Sequence, residues 1–287
     1  MKSAAFAFER PASVEQALSV KARWGGAARF LAGGQSLMPA LALRFNQSEC
    51  LIDLNGLEEL RQIRMEGDKL VIGAMARHSQ VIASPEVARA APVLAQAGRY
   101  LAHAAIRNRG TFGGSVALAD PAAEWPAACI LLDATVRILG NTGRREVPAR
   151  QFFQGMYMTD LGEDELLEAV VISPRPAQEK TCVLELARRH GDFATAAVMA
   201  SAQVQGGKLK DLRLVFFAVA DMPLQDAALT TRLQDAFNAG STAEVAALAT
   251  KGLAADTLRA DLYTQAATKA HLCGVLAGRA LAQLAAA

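Results

Sequence analysis

The 287 residues predict an α+β fold built as two units, and three observations carry that prediction. Up to Pro176, short apolar runs of strand length are interspersed with stretches of helical periodicity. Two turns that set paired glycines beside a hydroxyl residue interrupt this region, at Gly33-Gly34 and Gly113-Gly114. Beyond Pro176 the pattern becomes a series of strands followed by an alanine-rich helical tail. With 52% hydrophobic residues the chain can bury a large core. The change of pattern places a boundary near residue 177, giving a cofactor unit at 1–176, with subdomains of about 1–55 and 56–176, and a smaller α+β unit at 177–287.

Taken in order, ASVEQALSVKARW predicts an amphipathic helix capped by Ser13, with Glu15 and Gln16 in its first turn. ARFLAGG is a brief apolar strand stopped by two glycines, and a helical stretch follows at about Leu37 to Leu43. CLIDL and KLVIGAM are strand candidates. Helical spacing runs from Ser84 to Ala105, before the second glycine turn. PAAEWPAACILLD then predicts a helix, ATVRILGN a strand ending in a Gly-Asn turn, and ELLEAVVIS a strand closed by Pro174 and Pro176. In the second unit Gly206-Gly207 predicts a hairpin turn between antiparallel strands, and helical periodicity dominates from about Leu229.

Composition excludes several classes. Thirty Lys and Arg against 28 Asp and Glu leave a net charge of +2, which offers no electrostatic footprint for nucleic acid or an anionic membrane. Glu9 and Arg10 end the first apolar stretch before a signal-peptide core forms, and no run reaches membrane-spanning length, so the chain reads as cytoplasmic. Cys50, Cys129, Cys182 and Cys273 lie far apart and predict buried thiols, not a zinc or iron–sulfur loop. His78, His103, His190 and His271 are equally dispersed.

The chemistry concentrates in AGGQSLMP, from Ala32 to Pro39, and in TFGGS, from Thr111 to Ser115. Each puts paired glycines beside a hydroxyl residue, expected at the end of a strand, where the backbone turns sharply and a ligand can come close. Successive amides in such turns make concave anion sites, so the two together can hold a diphosphate, with Ser36, Thr111 and Ser115 adding hydroxyl donors. Neither turn fits the Rossmann or P-loop pattern. An ordinary tight turn is the alternative for either one alone.

At these residues the sequence resembles the FAD-binding medium subunits of the molybdenum hydroxylases, the xanthine dehydrogenase and carbon monoxide dehydrogenase medium-chain family. The resemblance spans nearly the whole chain and rests on AGGQSLMP at 32–39, IGAMARH at 72–78, IRNRGTFGGSVALADPAAE at 106–124 and ARRHGDFATAAV at 187–198. It implies a vanillyl-alcohol-oxidase-type (PCMH-type) FAD-binding domain followed by an α+β C-terminal domain like that of carbon monoxide dehydrogenase flavoproteins.

The resemblance also implies site residues. Leu31, Ala32, Gly33, Gly34, Gln35, Ser36 and Leu37, with Thr111, Gly113, Gly114 and Ser115, would wrap the FAD diphosphate. Glu124 would accept hydrogen bonds from ribityl or ribose hydroxyls, its alternative being a solvated acid at a helix start. Leu167 and Ala102 would lie against the cofactor, although core packing is the default for such residues. Phe193 would shield the isoalloxazine, or else be a core phenylalanine on a strand. Arg107, Arg109, Arg188 and Arg189 read as solvated or intersubunit charges, and the first two could hold the second turn in shape.

Three departures from the family stand out: Phe112 where Ile is common, Leu118 where His is common, and Glu185 where many relatives place a Lys near the flavin. The branch with an inserted cysteine-rich loop is not matched, since only Cys129 falls in that region.

By the resemblance, a small subunit carrying iron–sulfur clusters and a large molybdopterin subunit complete the enzyme, as an expected dimer of heterotrimers. Electrons would pass through FAD to an external acceptor such as NAD, a quinone or oxygen. A self-contained flavin oxidase or reductase of the same fold is the alternative, disfavoured because no acid–base pair accompanies the motifs. A serine hydrolase using Ser36 or Ser115 with His78 or His103 lacks the G-x-S-x-G elbow, and a scaffold module would carry no flavin.

Overall fold

The structure is a computed structural model that describes residues 2–253 and 256–286. Its first layer is a small parallel sheet, with Cys50–Asp53 between Ala7–Glu9 and Ala28–Leu31. Parallel strands need crossovers, and helix Val14–Trp24 supplies the one that carries the chain from one outer strand to the other. Ser13 caps that helix by accepting from the Gln16 amide, and Gly25 ends it at φ 53°. The buried Lys21 ammonium ties the exit to the next strand, donating to the Gly25 carbonyl at 2.6 Å and the Ala28 carbonyl at 3.1 Å.

A second sheet of five antiparallel strands follows, in the order Ile63–Glu66, Lys69–Gly73, Leu166–Ile172, Thr135–Gly140, Gly143–Pro148. Leu166–Ile172 is central and buried along most of its length, as its apolar run, interrupted only by Glu168, requires. The third sheet is the meander Glu179–Leu186, Ala196–Gln205, Lys208–Phe217, and its hairpin turns at Gly206 and Gly207, both with positive φ.

The third sheet is buried on both faces. Val183, Ala197, Met199, Val215 and Phe217 join the core beneath the second sheet. The alternate residues Cys182, Val198, Ala200, Leu214 and Phe216 pack under helices Ala227–Asn238, Thr242–Gly252 and Ala266–Ala286. The period of two therefore sorts one strand's residues between two cores. All four cysteines are free and buried.

The α+β expectation holds, with two local differences. The helical spacing from Ser84 to Ala105 is three short helices, Pro85–Ala90, Pro92–Ala97 and Ala104–Arg107. Pro92 forces Ala91 out of the helical region (φ −146°, ψ 63°), and Ala102 sits at φ 37°. The second glycine turn does not end a strand. It follows helix Ala104–Arg107 and meets extended backbone only through an isolated bridge between Thr111 and Arg77.

Candidate functional site

The two glycine turns, about 80 residues apart in the chain, touch each other backbone to backbone. A methyl group on Gly33 would lie 2.5 Å from the Arg109 carbonyl oxygen and 2.6 Å from the Gly110 Cα. One on Gly114 would lie 2.7 Å from Thr111 Oγ1 and 3.4 Å from the Ala32 methyl. Glycine is thus required at Gly33 by close approach, and at Gly34 by its φ of 72°. The strand Ala28–Leu31 delivers the first turn, which continues into the short helix Leu37–Ala42.

The turns differ in what their amides do. Among the described residues, the amides of Gly33, Gly34, Gln35 and Ser36 donate to no protein acceptor. The Gln35 side chain folds back onto the Gly33 carbonyl at 3.1 Å, leaving those amides clear. In the second turn every amide from Phe112 to Ser115 is engaged. Phe112 donates to Ala76, Gly113 to Ala74 at 2.9 Å, Gly114 to Thr111 Oγ1 at 3.1 Å and Ser115 to the Thr111 carbonyl. Of the two turns, the first alone therefore keeps amides free to donate to a ligand, while those of the second are taken up within the protein. The second turn contributes close approach and the hydroxyls of Thr111 and Ser115.

The second turn is fixed from below. Gly113 packs so closely on Ala74 that a methyl group would sit 2.5 Å from its Cα. Ala74 in turn donates to the Glu168 carbonyl at 2.9 Å, beside a register shift at Leu167. Leu167 itself is buried on the central strand, which agrees with core packing. Buried His78 lies against Gly110, and its Nδ1 accepts from the Trp125 indole at 2.8 Å. Burial pushes the His78 imidazole down to about 4, so it stays neutral. Serine chemistry finds no support there, since that nitrogen is already taken.

A second group gathers where helix Glu124–Leu131 begins. Glu124 is 8% exposed, which rules out the solvated-acid alternative. Burial raises its carboxyl to about 7, with Asp120 adding to the effect. Glu185 is pushed up to about 9 by burial and by Glu124, and its Oε1 is buried without a hydrogen-bond partner. A cleft here is lined by Tyr100, Glu185, Arg189, His190 and Asp192. Tyr100 donates to the Val183 carbonyl at 3.1 Å, and Gly191 packs on the His103 ring.

Phe193 is 67% exposed, so it is no core phenylalanine. It stands at the rim of that turn as an aromatic surface open to contact. Ala102 is held from behind, as Arg107 donates to the carbonyls of Leu101 and Ala102 at 2.9 and 2.7 Å. Arg107 therefore shapes the turn before the glycines, and Arg188 stacks on the Tyr263 ring at 4.6 Å. Asn55, Arg77, Ala74, His78 and Trp125 escaped the sequence reading as site residues. Only IGAMARH signalled three of them, Ala74, Arg77 and His78, because Asn55 and Trp125 act through contacts that no local spacing encodes.

The donors fit an FAD diphosphate: four amides in a row without a protein acceptor, a second turn with the hydroxyl residues Thr111 and Ser115 packed against them, and the Arg77 guanidinium bonded at the seam between the turns. Among the described residues no group of three potential metal ligands occurs.

Comparison with known proteins agrees with this geometry. The family described as the FAD binding domain in molybdopterin dehydrogenase matches residues 4–176, and the CO dehydrogenase flavoprotein C-terminal domain matches residues 182–284. The carbon monoxide dehydrogenase medium chain of Hydrogenophaga pseudoflava is 38% identical over 96% of each chain. The nicotine 6-hydroxylase medium subunit of Paenarthrobacter nicotinovorans is 38% identical over 75% of each. Among solved structures, quinoline 2-oxidoreductase from Pseudomonas putida 86 superposes with a TM-score of 0.92 at 36% identity, covering 100% of this chain and 99% of that one. Carbon monoxide dehydrogenase from Hydrogenophaga pseudoflava superposes at 0.91 and 36% identity, with the same coverage. The chain belongs to the molybdopterin dehydrogenase flavoprotein family, as an oxidoreductase subunit whose FAD-binding domain precedes a CO dehydrogenase flavoprotein C-terminal domain.

Proposed function

We propose that this medium subunit transfers electrons within a molybdenum hydroxylase complex, from iron–sulfur clusters on a small partner subunit through FAD to an external acceptor. Substrate hydroxylation would belong to a large molybdopterin subunit. The observation that carries this reading is the run of uncommitted amides at Gly33 to Ser36, in a turn that packs directly on the one carrying Thr111 and Ser115. Bound FAD supplies the capacity to accept and release electrons singly or in pairs.

The chain's own residues bind and orient. Leu31 to Leu37 form the diphosphate cradle, and Thr111, Gly113, Gly114 and Ser115 close it from the opposite side. Amides aligned before binding cost little reorganisation, and arginines nearby make the cradle positive. Glu124 accepts hydroxyl hydrogen bonds from the ribityl or ribose part. Ala102 and Leu167 bound the cofactor, and Phe193 covers the ring system and limits its contact with water. No acid–base step is assigned to this chain, so its work is positioning and tuning.

We further propose a domain boundary near residue 177, cytoplasmic residence and assembly as a dimer of heterotrimers. Among the described residues no helix is long and apolar enough to cross a membrane. The test is purification of the chain with and without its partners. Alone, it should release FAD on denaturation and turn over no organic substrate; with its partners it should carry both flavin and iron–sulfur bands. Oxidation of an organic substrate by the chain alone would favour the self-contained flavin oxidase instead.

A further inference from the structure

We infer that Asn55 and Arg77 form a brace that sets the separation of the two glycine turns, making them positioning residues for the diphosphate of FAD. The inference rests on the reading that those turns hold FAD.

Asn55 lies in the turn Leu54–Gly56, directly after the central strand of the parallel sheet. Its side-chain amide donates to the Ala32 carbonyl at 3.0 Å, gripping the first glycine turn. Its side-chain carbonyl accepts from Arg77 Nη2 at 2.5 Å. The other guanidinium nitrogen, Arg77 Nη1, donates to the Arg109 carbonyl, at the entry to the second turn. One unbroken chain of hydrogen bonds therefore runs from Ala32 through Asn55 and Arg77 to Arg109.

The same Arg109 carbonyl is the atom that a methyl group on Gly33 would strike. The brace thus spans the seam where the turns meet. Both of its members are held in turn. Asp53 Oδ1 accepts from the Asn55 backbone amide at 3.0 Å and from its side chain at 2.5 Å, and Arg61 donates to the Asn55 carbonyl. The Arg77 amide is fixed by the Gln80 side chain at 2.8 Å, and Arg77 pairs with Thr111 across the isolated bridge. Only a guanidinium carries two donors in a rigid fork that reaches both acceptors at once, so Lys does not replace Arg77.

The test measures FAD dissociation constants by flavin fluorescence on the full-length chain after flavin removal. Arg77→Ala and Asn55→Ala should each weaken FAD by about tenfold or more. The double variant should lose no more than the worse single, because both substitutions cut one chain of bonds. ADP used as a competitor should weaken by the same factor as FAD, while FAD bound at saturation keeps the natural visible spectrum. Affinities within about twofold of the natural chain, or losses that multiply in the double variant, overturn the inference.

If an alanine variant fails to fold, Arg77→Lys and Asn55→Asp are measured in its place. Natural affinity in both overturns the inference equally. Gly33→Val in the same assay separates the two levels. If it loses FAD while the brace variants keep it, only the brace falls; if it also keeps FAD, the turns do not hold the cofactor at all.

Discussion

At Gly33 one methyl group decides whether the two turns can meet. Gly33→Ala puts a carbon 2.5 Å from the Arg109 oxygen, with backbone rather than a flexible side chain as the obstacle. The turns must part, and we predict loss of most bound flavin, read as the ratio of flavin to protein after gel filtration. Phe193 is the opposite case. Its ring is 67% exposed, so Phe193→Ala should change stability by no more than about 0.5 kcal/mol in a denaturant titration. Its proposed place over the ring system predicts altered flavin fluorescence in the same variant, and an unchanged spectrum would remove it from the site. The glycines were legible because only glycine suits such turns. Phe193 was legible through ARRHGDFATAAV alone, since periodicity cannot tell an aromatic rim residue from a core one.

Among elements, helices His78–Ala83 and Glu124–Leu131 meet beside the second turn through one side-chain pair. Trp125 donates to His78 at 2.8 Å and its ring lies 5.3 Å from that of Phe112. Trp125→Phe would keep the stacking but leave a buried nitrogen without its donor, at a cost of about 1–3 kcal/mol in equilibrium unfolding. Here the sequence was least informative. PAAEWPAACILLD announced a helix but not the partner of its indole, and the helical spacing across Ser84 to Ala105 concealed three short helices. Strand Ala196–Gln205 was more readable, because burial on both faces demands the apolar run AAVMASA.

For the whole molecule, stability should erode toward both ends of the pH scale. The His78 imidazole titrates lower folded than unfolded, so its contribution is present above about pH 6.5 and is lost as pH falls toward about 4. Glu124 and Glu185 titrate higher folded, at about 7 and about 9. Their contribution is complete below the unfolded value near 4.5 and is lost as pH rises through the folded values. Glu185→Gln should therefore flatten the alkaline limb. We predict a gain of at least ~1 kcal/mol at pH 9 that vanishes by pH 5, one pKa unit being worth about 1.4 kcal/mol. An equal gain at both pH values would point to packing instead.

FAD binding in this chain depends above all on the first turn's amides receiving the phosphates. Amide hydrogen exchange, compared with and without FAD, reads this directly. Gly33 to Ser36, which have no protein acceptor, should become strongly protected on FAD binding, while Phe112 to Ser115, already bonded within the protein, should change little. Protection that appears elsewhere while Gly33 to Ser36 exchange as before would contradict it.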